Sequence, residues 1–227
     1  MTTPHEHHLT VTRTARYYTL GVPQRSVWIV AHGYGELAAD FAARFAPVDD
    51  GTRLIVAPEA LSRFYHAAPS ASSVPPSAGT VGASWMTRED RQSEIADQIG
   101  YLDAVHEAIF ARVPRDSVRL TVLGFSQGVA TVCRWLTRSR TRVDRLVCWA
   151  GVIPDDSLAV LKTLPLTVVS GSRDIFAPPE RVAQAEAQLA GANVPYRRLG
   201  FAGGHRLDDD VLRALAAEET PEQRVGI

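Results

Sequence analysis

One pentapeptide constrains this chain more than any other stretch. Gly124-Phe125-Ser126-Gln127-Gly128 follows the apolar, β-branched run 118–123 and precedes a helical-looking run, 129–136. A Gly-x-Ser-x-Gly set between a buried strand and a helix forms a strained turn, on which a serine hydroxyl projects above a sheet. The flanking glycines remove the Cβ atoms that would clash where strand and helix cross. The helix N-terminus then directs partial positive charge at any negative charge that develops there. Such a turn is also an ordinary strand-to-helix connection, so its meaning depends on the residues that follow.

A nucleophilic serine on this turn requires an acid and then a histidine later in the chain. Asp174 lies just past the short apolar strand 166–170, in the turn Gly171-Ser172-Arg173-Asp174, and Pro178-Pro179 can open the next helix. Its alternative role is that of a turn former or helix cap. His205 sits in the glycine loop 200–207, after the strand-like 196–199 and before the acidic helix start at 208–210. A base must reach the nucleophile while its other nitrogen is held by the acid, and a glycine loop at the end of a late strand can deliver an imidazole there. The alternative is a surface histidine. His5, His7 and His8 fall in the N-terminal tail, His66 in a Pro/Ser-rich loop, His106 in a helical pattern, and His32 precedes the serine.

His32-Gly33-Tyr34-Gly35 ends the buried strand 26–31 and leads into a helical pattern at 36–45. A loop in this position supplies the first donor of an oxyanion hole, with the backbone N–H of Tyr34 as one donor and that of Gln127 as the other. A plain glycine turn is the alternative.

These pieces, together with Ala57-Pro58-Glu59, resemble the phospholipase/carboxylesterase family of serine hydrolases, which includes acyl-protein thioesterases. The resemblance spans about residues 27–207. Val129 and Glu36 stand where the family usually has Gly and Asp. It implies an α/β-hydrolase fold, a mostly parallel sheet with helices on both faces. It also implies cleavage of small-molecule carboxylic ester or thioester substrates through an acyl-enzyme, with Ser126, His205 and Asp174 as the triad and no metal or organic cofactor. A lactonase or peptidase on the same triad, or a non-catalytic small-ligand binder of the same fold, are the alternatives.

The rest of the chain agrees with one α/β domain over residues 9–218. Strands alternate with helical patterns through residue 217, and 227 residues with 45% apolar content suffice for one core. Residues 9–12 and 15–18 read as an early antiparallel pair, residues 1–8 as a flexible tail and 219–227 as a frayed one. Residues 88–112 read as one helix with Ile95, Ile99, Leu102, Val105 and Ile109 on its inner stripe, opened by a capping box from Thr87 to Asp90. Residues 60–85 break the alternation and read as a long loop that partly covers the site, with Phe64, Tyr65, Trp85 and Met86 as its apolar anchors. Phe176 is expected to help shape the pocket. A net charge of −1 argues against nucleic acid, no 18-residue apolar run predicts a membrane span, and the N-terminus lacks a secretory pattern. A cytoplasmic enzyme is expected, and the sequence leaves its oligomeric state open. Cys133 and Cys148 read as small buried apolar residues.

Overall fold

The structure is a computed structural model that describes residues 3–66 and 79–219. Its centre is a seven-stranded sheet of order β1-β3-β2-β6-β7-β8-β9. The strands are β1 (Tyr17–Gly21), β2 (Ser26–Ala31), β3 (Arg53–Pro58), β6 (Arg119–Phe125), β7 (Arg145–Trp149), β8 (Leu166–Gly171) and β9 (Tyr196–Phe201). Only β1 runs antiparallel to its neighbour; the other pairs are parallel. Parallel strands are covered on both faces, which is why β2, β3 and β7 are buried at every position rather than alternating with polar residues.

Period-two geometry divides each strand between two cores. Val27 and Ile29 pack under α2 (Arg91–Phe110) and α3 (Gln127–Arg138), whereas Trp28 and Val30 pack under α1 (Ala38–Ala43) and α6 (Asp209–Ala217). The short α4 (Leu158–Leu161) and α5 (Pro179–Gly191) complete the first layer through Leu161 and Leu189. The inner stripe expected for the long helix is present in α2: Ile95, Ile99, Leu102, Val105 and Ile109 are all buried.

Three local expectations fail for identifiable reasons. Residues 9–16 form no strand, and Leu9 and Val11 stay exposed because no neighbouring strand lies beside them. The Thr87–Asp90 capping box does not form: Asp90 adopts a left-handed conformation with no side-chain cap, while the Thr87 hydroxyl turns to Glu89 and Glu94. The stretch 60–85 is not an irregular loop. It contains β4 (Ser62–Tyr65) and β5 (Val81–Ser84), an antiparallel pair whose connection, 67–78, lies outside the described residues.

At the C-terminal side, the expected boundary at 218 is one residue short. Glu219 is buried beneath the amino-terminal ends of the strands, where it accepts from Trp28 Nε1 at 2.9 Å, Thr121 Oγ at 2.6 Å and Arg145 Nη2 at 2.8 Å. Residues 220–227 lie outside the described residues.

Candidate active site

The site lies at the carboxyl ends of the parallel strands, where loops gather in doubly covered sheets. Ser126 joins β6 directly to α3 with φ 53° and ψ −117°. A non-glycine residue in that region carries strain of about 1–3 kcal/mol, which the surrounding structure must hold. Here the Ser126 N–H donates to Trp149 O at 2.9 Å, and Gly128 packs so tightly on β2 that a Cβ would sit 2.2 Å from Ala31 O.

The acid and the histidine come together from loops 31 residues apart. Asp174 is buried, and its Oδ2 lies 2.8 Å from His205 Nδ1. Its Oδ1 accepts from the N–H groups of Phe176, at 2.8 Å, and Ala177, at 3.2 Å. It does not cap α5, whose N-cap is Pro178. The two loops are stitched together by Ser172 N to Phe201 O at 2.9 Å and Arg173 N to Gly203 O at 2.8 Å. The His205 ring packs between Phe125 and Phe176, each 4.9 Å away between centroids. Phe125 adjoins Ser126, so the imidazole stands beside the elbow with Nε2 not committed to the acid. His205 Nδ1 is committed to Asp174, and no hydrogen bond links Ser126 Oγ to the ring.

The loop after β2 is fixed by partners that leave one donor over. Gly33 N–H donates to Glu36 Oε2 at 2.7 Å, and Gly35 N–H donates to Ala83 O on β5 at 2.8 Å. Tyr34 N–H, between them, meets no acceptor among the described residues. The N–H of Gln127 opens α3, where helix geometry provides no internal acceptor. A Cβ on Gly33 would come within 3.2 Å of Ser126 Cβ, which measures how closely this loop backs the elbow.

His32, set aside for the triad because of its chain order, has a defined structural part. The ring is fully buried, with Nδ1 2.7 Å from Gly33 O and Nε2 accepting from Ala60 N–H at 3.1 Å. That pattern fixes the neutral tautomer with its proton on Nδ1, and burial lowers the pKa below the usual histidine value. Trp85 packs on this ring at 5.1 Å and donates Nε1–H to His32 O at 2.9 Å. The side chain of Gln127 is a second brace that the motif does not reveal. Its Oε1 accepts from Trp85 N–H at 3.0 Å and its Nε2 donates to Met86 O at 2.8 Å, tying the end of β5 to the start of α3.

The five expected pocket residues separate. Trp85 is core. Phe64 and Tyr65 are successive residues of β4 and face opposite ways, so they cannot both line one pocket; Phe64 stacks on Tyr34 at 5.2 Å, while Tyr65 is exposed. Met86 is half-buried near Arg134. Phe176 lines a cavity of about 690 Å³ together with Ala150, Gly151, Val152, Val182 and Leu189. Gly151 presses on the Ser126 carbonyl, where a Cβ would lie 2.2 Å from the oxygen, so the cavity abuts the elbow. Among the described residues, Glu6, His8 and Asp90 form an exposed group with metal-ligand spacing, and no helix is long and apolar enough to cross a membrane.

Neither a protein-family model nor a curated protein sequence matches the chain. Solved structures do. Esterase PE8 shares 20% identity over 91% of this chain and 98% of its own, with a TM-score of 0.63. Acyl-protein thioesterase 2 of Zea mays shares 16%, covering 91% and 100%, at 0.60. SOBER1 of Arabidopsis thaliana shares 16%, covering 86% and 97%, at 0.64. The chain has the α/β-hydrolase fold that these structures share, over nearly their whole length.

Proposed function

We propose that the chain is a serine hydrolase of the phospholipase/carboxylesterase type, cleaving carboxylic esters, and thioesters by the same chemistry, through an acyl-enzyme on Ser126. The observation that carries this reading is the buried Asp174 carboxylate 2.8 Å from His205 Nδ1, at the strand ends that also present a strained serine. The similarity of fold to an esterase and an acyl-protein thioesterase supports the same reaction class.

In this reading His205 Nε2 removes the proton from Ser126 Oγ as it attacks the acyl carbon. Asp174 holds the ring in the tautomer that leaves Nε2 available and stabilises the imidazolium that forms. Its two backbone donors, Phe176 N–H and Ala177 N–H, keep that carboxylate oriented. The oxyanion is held by Tyr34 N–H and Gln127 N–H, each worth about 3–4 kcal/mol of barrier. His205 then protonates the leaving alkoxide or thiolate, and water, deprotonated by the same imidazole, releases the acid and restores the serine. His32, Trp85 and the Gln127 side chain position the donor loop without touching the substrate.

Hydrolysis of 4-nitrophenyl esters from acetate to palmitate, with Ser126→Ala alongside, tests this. The expected outcome is turnover that disappears in the variant, with a chain-length optimum set by the cavity beside Phe176. Ester turnover that survives in Ser126→Ala, or its absence across esters, thioesters, lactones and aminoacyl amides, overturns it.

A further inference from the structure

The cavity that abuts Ser126 contains a cation without adequate partners. Arg134 is buried to 7% exposure on α3, and its Nε has no hydrogen-bond partner. The nearest carboxylate, on the half-exposed Asp156, is 3.8 Å away, and Nη1 meets only the Met86 sulfur, also at 3.8 Å. Arg91, the first residue of α2, lines the same cavity and makes no ion pair among the described residues. The other acids of the cavity wall are engaged elsewhere: Asp155 accepts from Gln188 at 2.6 Å and Glu186 pairs with Arg198 at 2.9 Å. Arg181, a third cation of the wall, donates to Phe176 O at 3.3 Å, and among the described residues neither Arg134 nor Arg91 meets a carboxylate closer than 3.8 Å.

A buried charge left this way is costly unless something completes it. Guanidinium is also the group best matched to a planar carboxylate, which it grips with two parallel N–H bonds. The position connects this corner to the reaction. Arg134 lies two turns along α3 from Ser126, and helical side chains lean back toward the N-terminus. Its end reaches Met86, whose carbonyl is held by Gln127, the residue after the nucleophile.

We infer that this cavity selects substrates that carry a carboxylate, with Arg134 and Arg91 receiving it while the ester carbonyl sits at Ser126. The inference rests on the serine-hydrolase reading for its reaction and on Arg134 for its specificity. Burial and the neighbouring Arg91 both press the Arg134 pKa downward, as expected for a cation without a close counter-charge.

The test compares 4-nitrophenyl esters of glutarate, adipate and suberate, each with one free carboxylate, against pentanoate, hexanoate and octanoate. A second arm compares 4-carboxyphenyl hexanoate with phenyl hexanoate, which distinguishes a carboxylate on the acyl group from one on the leaving group. In at least one arm the anionic ester is expected to show a KM about tenfold lower than its neutral partner. Arg134→Gln is expected to erase that ratio, and Arg134→Lys to keep part of it. Asp156→Asn removes the resident counter-charge and is expected to widen the ratio, whereas a purely structural Arg134–Asp156 pair would lower stability and leave the ratio alone. No preference in either arm, or equal losses on both esters in Arg134→Gln, overturns the inference. If no ester is turned over, the hydrolase reading fails separately; adipate titrated calorimetrically into Ser126→Ala still decides the cavity. Binding weakened about tenfold by adding Arg134→Gln supports it, and binding that is absent or unchanged refutes it.

Discussion

At the amino-terminal ends of the strands, Arg53 and Arg145 converge on Glu219, and both guanidiniums lie over the Trp28 ring, 5.2 and 5.4 Å from its centroid. Two further donors find carbonyls at the end of α6, Arg53 Nη2 reaching Ala216 O at 3.3 Å and Arg145 Nη1 reaching Leu215 O at 2.8 Å, while Arg145 Nε has no partner. At the carboxyl-terminal ends of the same strands, Asp174 and His205 are paired as closely, yet the surroundings stay open. Tyr34 N–H lacks an acceptor among the described residues, Ser126 is held in a strained conformation, and Arg134 Nε has no partner. One end spends its polar groups on one another and locks α6 onto the sheet. The other end leaves several of its polar groups uncommitted. Neither charge burial nor an unpaired guanidinium nitrogen separates the two ends, since Arg145 Nε and Arg134 Nε both lack partners; the strained serine beside the paired Asp174 and His205 does.

Substitutions at the two ends should therefore separate activity from stability. Asp174→Asn is expected to lower kcat by about four orders of magnitude, because the amide no longer imposes the required tautomer on His205. Its thermal midpoint should move far less, and a stopped ester assay beside a melting curve checks both. Glu219→Gln is the converse. It leaves Arg53 and Arg145 with only the more exposed Asp50 and Glu218 as counter-charges, each at 3.4 Å, an expected loss of about 3 kcal/mol in unfolding free energy by denaturant titration. Specific activity well below the transition should be unchanged. A Glu219 variant that loses activity while folded would show that the two ends are coupled.

Gly33→Ala probes the open end more gently. The added Cβ would lie 3.0 Å from Glu36 Oε2 and 3.2 Å from both Phe125 and Ser126, so the donor loop must give by tenths of an ångström. About a tenfold fall in kcat/KM, with KM nearly constant, is expected in steady-state kinetics. The smallest effect concerns pH. His32 is buried and its pKa is lowered in the fold. The unfolded chain binds that proton first, so stability is fully present above the unfolded histidine value, about 6.5, and declines as pH falls below it. The thermal midpoint should drop between pH 7.5 and 5.5, and His32→Asn should flatten part of that slope. His106, whose pKa is also lowered by burial, supplies a further share.

How much of this was legible in the sequence follows from the range of each interaction. The elbow is local: a β-branched run, two glycines and a helical run occupy consecutive residues, and β6, Ser126 and α3 fall there. Asp174 and His205 were recoverable because the order of serine, acid and base is a rule of the motif rather than of distance. The Glu219 network was hidden, since its bonds to Trp28, Thr121 and Arg145 span 191, 98 and 74 residues. Arg134 was hidden differently. Nothing in the helical run 129–136 marks it as buried, and only the packing of Met86 and the Asp155–Ser157 turn against it shows a buried cation. The β4–β5 pair was missed because its stabilising contacts are with the loop after β2, including His66 Nε2 to Gly35 O at 3.0 Å, and not with residues beside it in sequence.

The most direct test of the central claim is covalent. Wild-type protein treated with a fluorophosphonate should gain one adduct, mapped by tryptic mass spectrometry to Ser126, with labelling abolished in Ser126→Ala and slowed by several orders of magnitude in Asp174→Asn. An unlabelled wild type, or an adduct on any other residue that persists in Ser126→Ala, would contradict the account.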